Sequence, residues 1–230
     1  MQHSSDERLR LEFNYWARAG RGPSMEKGHR AVGEQAIELM KIPAEARVLD
    51  VGCGNGWATR LMAQQASKGR AVGIDIADEM VRVAADSSRD FVNIAFRVAS
   101  AEALPFSDGE FTHAFSMESL YYYADLPAAL KEIRRVLAPA GRFVCVVDLY
   151  QENEASHQWI EQLKAPVKLL SSDEYSSLFE DAGFVGVFTQ RIYDPTPVPE
   201  DYQGGSFKTR EDFLSYREAG SLMVSGEVTT

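Results

Sequence analysis

The chain has 230 residues, enough for one domain with a single substantial core, and its 45% hydrophobic and 25% charged content excludes a disordered or fibrous class. A formal net charge of −10 with no dense basic patch argues against a nucleic-acid substrate. No apolar run approaches the roughly 20 residues of a membrane span, residues 1–10 lack the apolar core of a signal peptide, and two cysteines, Cys53 and Cys145, make no secreted disulfide framework; the expected compartment is the cytoplasm.

The pattern opens with an amphipathic helix over residues 5–18, on which Leu9, Phe13 and Trp16 share a face. After a loop, Ser24 is placed to cap a second helix over residues 25–40, and Pro43 separates it from a short apolar strand. That strand runs into Val-Leu-Asp-Val-Gly-Cys-Gly-Asn-Gly-Trp, residues 48–57, with glycines at 52, 54 and 56 and a helical pattern directly behind them. Strand, glycine turn and helix form a nucleotide-type site at the carboxyl edge of a parallel sheet. The third glycine of a dinucleotide fingerprint would fall on the bulky Trp57, and no Gly-Lys-Ser/Thr run exists for a phosphate loop. A second strand, residues 71–75, ends in Asp75, 19 residues after Gly56, where a carboxylate can accept hydrogen bonds from the hydroxyls of an adenosine ribose. The plainer alternative is a tight strand–helix turn in some other α/β protein.

With Asp50 two residues before the first glycine and Asp75 in place, the stretch resembles the first two motifs of class I S-adenosylmethionine (SAM)-dependent methyltransferases. The resemblance runs motif by motif over residues 47–147. It implies SAM as cofactor, S-adenosylhomocysteine as product, and a cofactor site of Asp50, Gly52, Cys53, Gly54, Asn55, Gly56, Asp75, Ile76 and Met80. It also implies that the first 42 residues fold over the cofactor as a helical lid, with Tyr15, Met25 and His29 as candidates to close it or, equally, to pack or be solvated.

Farther along, Ala77 stands where the family has a Ser or Thr cap for the helix bearing Met80, Val83 and Ala84. A third strand covers residues 93–99. Residues 100–111 resemble the family's adenine-edge segment, with Ser100 in place of the frequent Asp and the backbone of Ala101 and Glu102 carrying more of the recognition. The fourth strand, residues 111–117, holds His113 as a core or edge residue. Its carboxyl end, Met117-Glu-Ser-Leu-Tyr-Tyr-Tyr, would face the methionine end of the cofactor and the acceptor, which nominates Met117, Glu118, Tyr121 and Tyr122. Asp125 caps a helix closed by Pro139-Ala-Gly, and a fifth apolar strand covers residues 142–149. Residues 150–170, with His157 and Trp159, form an insertion placed to cover the acceptor pocket, as do residues 194–220. Ser171 with Glu174, and Thr209 with Asp212, read as capping boxes, and strands follow over residues 184–193 and 221–228. The expected fold is α/β, a single domain over 1–230 with a doubly wound Rossmann-like sheet of seven strands. The resemblance implies the order 3-2-1-4-5-7-6, with the last strand antiparallel.

Methyl transfer from a sulfonium is an in-line displacement, so positioning supplies much of the rate and a base is needed only where the acceptor must lose a proton. His157 is preferred as that base for its near-neutral titration, then Glu118, then His29; packing on the lid is the alternative for His157 and Trp159. The histidines, at 3, 29, 113 and 157, are scattered and Asp148 stands alone, so no metal site is expected. The tyrosines and Trp159 suit a small apolar acceptor with one polar nucleophile. A SAM-binding sensor without turnover and a nicotinamide oxidoreductase are the rival classes, and nothing in the sequence bears on oligomeric state.

Overall fold

The computed structural model describes residues 5–229; His3 and the first residues of the polar N-terminal stretch lie outside it. Seven strands form one sheet: β1 Arg47–Val51, β2 Arg70–Asp75, β3 Ile94–Val98, β4 Phe111–Met117, β5 Leu137–Val147, β6 Val185–Ile192 and β7 Ser221–Glu227. Their order is β3-β2-β1-β4-β5-β7-β6, with β7 antiparallel to both neighbours and the others parallel, as expected. Helices α1 Ser5–Arg18, α2 Gly22–Leu39, α3 Trp57–Gln65, α4 Asp78–Asp86, α5 Leu126–Val136, α6 Ser172–Asp181 and α7 Arg210–Ala219 complete the molecule.

The strand alternation of side chains builds two cores. Leu49, Ala114, Cys145 and Val224 face the layer holding Leu126, Leu130 and Ile133 of α5 and Tyr175 and Phe179 of α6. Their neighbours Val48, Phe115, Val144 and Met223 face the opposite layer, with Ala36, Ile37 and Met40 around α2 and Trp57, Ala58 and Met62 of α3. Burial on both faces explains why β5 reads as a nearly continuous apolar run. Among the described residues no helix is long and apolar enough to cross a membrane.

Several termini follow the sequence. Asp125 accepts from Ala128 N, and both capping boxes form. Others do not. Helix α2 begins at Gly22, with Pro23 in its first turn, and Ser24 donates to the Arg21 carbonyl rather than capping. Helix α4 indeed lacks a cap at Ala77, but Asn14 of α1 supplies one from a distance, accepting from Glu79 N at 2.9 Å and donating to the Asp78 carboxylate at 2.7 Å. A cap borrowed from another helix ties α1 to the edge of the sheet. Residues 154–162 wind as 3₁₀ helix, and Ala140 takes the left-handed turn at φ +57° where the family has glycine.

Gly56 caps α3 at φ +77°, and a Cβ there would lie 2.7 Å from Phe96 Cζ and 2.9 Å from Ala84 Cβ. Gly54, at φ +51°, has open space on that side. Gly56→Ala should therefore lose about 2–4 kcal/mol, backbone strain plus overpacking, and Gly54→Ala about 1–2 kcal/mol of strain alone. Urea unfolding of the two variants checks this; equal losses would remove the packing role of Gly56.

Candidate active site

The carboxyl ends of β1, β2 and β4 open into one cleft. Gly52 N and Cys53 N both donate to the Ile74 carbonyl, at 2.9 and 2.8 Å, so the glycine turn is hooked onto the end of β2. Asp75 then clamps both segments: its Oδ2 accepts from Gly54 N at 3.0 Å and its Oδ1 from Ala77 N at 2.8 Å. Below the turn Asp50 accepts from Thr59 Oγ1 at 2.5 Å. Burial pushes Asp75 up to about 6 and Asp50 up to about 7, the latter helped by the Asp75 charge. A Cβ on Gly52 would strike Ser119 at 2.6 Å. Ser119 in turn bonds Ser116, Tyr123 and the Val51 carbonyl, which fixes the start of the loop after β4 against the turn.

The cleft encloses about 1040 Å³ including its mouth. Its walls hold every residue nominated for the cofactor except Gly56, which lies behind the turn in packing contact with Phe96. Leu9 and Phe13 of α1 and Met25 and His29 of α2 close it from the N-terminal side. Glu12 fastens α1 further by accepting from Lys164 N at 3.0 Å and from Ala165 N. Tyr15 instead is exposed beneath Lys164.

At the end of β4, Glu118 stands at φ +54° and is held by Tyr121 OH at 2.8 Å and by Asp148 N. Burial and the nearby Asp148 push its carboxyl well up. Of the three tyrosines, 122 and 123 line the cleft, whereas Tyr121 turns its hydroxyl to Glu118. The insertion falls elsewhere than expected. His157 bonds the Tyr150 carbonyl at 3.1 Å, and Trp159 donates to the Ser206 carbonyl at 2.9 Å while packing on Phe207 and Tyr216; neither lines the cleft. Trp159 anchors the insertion to the segment before α7 while His157 ties it back to its own start, a sidedness that irregular 3₁₀ structure does not encode in any residue period. Sequence reasoning also missed Ser119, Tyr123 and the roof residues Leu9 and Phe13. The last pair could have been found from the apolar face of α1.

The residues fit a nucleoside-bearing cofactor on two observations: the space over Gly54 that a side chain would fill, and the buried Asp75 carboxylate presented to it. The raised acids also set a pH dependence. A carboxyl whose folded pKa exceeds its ordinary 3.8 binds more protons folded than unfolded between those values, so the contribution of Asp50 to stability falls as pH rises from about 4 to 7 and is flat above. Asp50→Asn, which still accepts from Thr59, should be more stable than the parent by roughly 2–4 kcal/mol at pH 8 and gain little at pH 4. Unfolding by urea at the two pH values measures it.

Comparison with known proteins bears on the chemistry. Residues 49–145 match the family described as "Methyltransferase domain". A chain of the Haloferax volcanii complex between the Trm112 methyltransferase activator and a proposed methyltransferase superposes with a TM-score of 0.88 at 34% identity, covering 95% of this chain and 98% of that one. The O-methyltransferase cnsE of Penicillium expansum is 29% identical over 200 residues, 83% of this chain and 68% of its own. Demethylmenaquinone methyltransferase of Staphylococcus carnosus is 25% identical over 185 residues, 69% of this chain and 76% of its own. Glycine turn, the acid that ends β2, strand order and these similarities agree: the chain belongs to the class I SAM-dependent methyltransferases.

Proposed function

We propose that this SAM-dependent methyltransferase acts on a small molecule, and that the cleft described above holds donor and acceptor together. The observation that carries the reading is the closure of the cleft by α1 and α2 over an apolar wall of Leu9, Phe13, Met25 and Tyr122. Such a roof leaves room for an aromatic, isoprenoid or similar body, and too little for a polymer surface. By its name the Staphylococcus carnosus relative acts on a demethylmenaquinone, an acceptor of this type.

When bound, SAM supplies an electrophilic methyl group on a sulfonium. In this reading Asp75 orients the ribose, with its two oxygens pre-set by Gly54 N and Ala77 N so that no reorganisation is needed on binding. Gly52 and Gly54 allow close approach to the backbone, Ile76 and Met80 pack on the base, and Ser100, Ala101 and Glu102 meet its edge. Phe13, edge-on to Tyr122 at 5.1 Å, excludes water from the acceptor end. Glu118 and His29 line the cleft there and orient the acceptor's polar group. His157 and Trp159 serve the architecture of the insertion.

Two measurements test the reading. Asp75→Ala should weaken SAM binding at least about 30-fold, the loss of charge-assisted hydrogen bonds, with the far-UV spectrum unchanged; unchanged affinity in calorimetry would refute the ribose assignment. Incubation of a cell extract with methyl-tritiated SAM and the protein should put label in the small-molecule fraction. Label in protein or nucleic acid would overturn the acceptor class.

A further inference from the structure

We propose that His29, Glu118 and Asp148 form a binding site for one divalent transition-metal cation, of the Mn²⁺, Fe²⁺ or Zn²⁺ class, at the acceptor end of the cleft. The three come from α2 and from the ends of β4 and β5, far apart in sequence. One donor atom of each lies within 4.8 Å of the others, with His29 Nε2 and Asp148 Oδ2 at 3.8 Å. Neighbouring donors on a tetrahedral or octahedral ion with bonds of about 2.0–2.2 Å stand about 2.9–3.5 Å apart, so the three side chains draw together by on the order of 1 Å to close on a cation.

One observation points to a ligand there: Asp148 is 1% exposed, and its Oδ1 has no hydrogen-bond partner. A buried carboxylate oxygen left unpaired is costly unless something satisfies it. The two carboxylates are also held from behind: Tyr216 OH donates to Asp148 Oδ2 at 2.7 Å and Tyr121 OH donates to Glu118 Oε2 at 2.8 Å. Outer partners of this kind fix the orientation of metal ligands.

The donor set selects the ligand. One imidazole and two carboxylates suit Mn²⁺, Fe²⁺ and Zn²⁺ better than Mg²⁺ or Ca²⁺, which prefer all-oxygen sets. A cationic group on a larger molecule is disfavoured, because His29 and Glu118 line the cleft while Asp148 lies behind its wall, reachable by a bare ion. Three protein ligands leave coordination positions open toward the cleft, where the oxygen of an acceptor can bind.

The test needs no acceptor, so it stands or falls apart from the acceptor class. The full chain, stripped with a chelator and dialysed, is titrated with Mn²⁺ by loss of the free-ion paramagnetic signal and with Zn²⁺ by calorimetry. The expected result is one saturable equivalent, with affinity falling more than about 10-fold in His29→Gln and in Asp148→Asn and unchanged in His157→Gln. SAM affinity and the far-UV spectrum of each variant verify the fold. Absence of saturable binding, or equal affinity in the folded His29→Gln and Asp148→Asn proteins, would overturn the site.

Discussion

The active end of this molecule depends on how the ends of β1 and β2 are tied together. Two amides of the glycine turn converge on the Ile74 carbonyl, and the very next residue, Asp75, reaches back to the turn through Gly54 N. Each bond is ordinary, about 1 kcal/mol net. Together they hold a carboxylate in a buried position where it would otherwise be neutral, and they place its oxygens before any ligand arrives. The glycines are the geometric condition: Gly52 and Gly56 have no room for a side chain, and all three sit at positive φ.

From that knot the rest of the site follows. Ser119 carries the turn's position to the loop after β4, and this loop presents Glu118, Tyr122 and Tyr123. The roof is attached separately. Asn14 caps α4 on one side, Glu12 holds the backbone of residues 164 and 165 on the other, and Phe13 between them meets Tyr122. Three neighbouring residues of α1 thus span the cleft from rim to rim.

Sequence made legible whatever was local or periodic. Alternation of Ile94, Phe96 and Val98 gave β3, the continuous apolar run gave β5, and Asp125, Ser171 and Thr209 announced their helices because capping is a contact over three residues. The glycine spacing and Asp75 were readable since both line one cleft at a fixed separation in the chain. What stayed hidden depends on pairs distant in the chain. Asn14 looks like an unremarkable polar residue until α4 is beside it, and His29 and Asp148 meet only once the sheet has formed. His157 and Trp159 misled for another reason: an insertion leaving the correct edge of a sheet can still fold its aromatic face away from the ligand, here onto Phe207 and Tyr216. Pro23, by contrast, was a visible start signal for α2 that outweighs the hydroxyl of Ser24.

The insertion of β7 between β5 and β6 has a consequence for biogenesis. During synthesis β5, complete at Val147, emerges well before Ser221 begins its partner, so one side of its apolar ladder waits unpaired while α6 and β6 are made. An open edge of that composition is a template for the wrong strand, from the same chain or another. Vectorial folding of this topology therefore favours early docking of α5 and α6 onto the face of β5, which shields the strand's surface though not its edge, and leaves the late antiparallel strand to seal it.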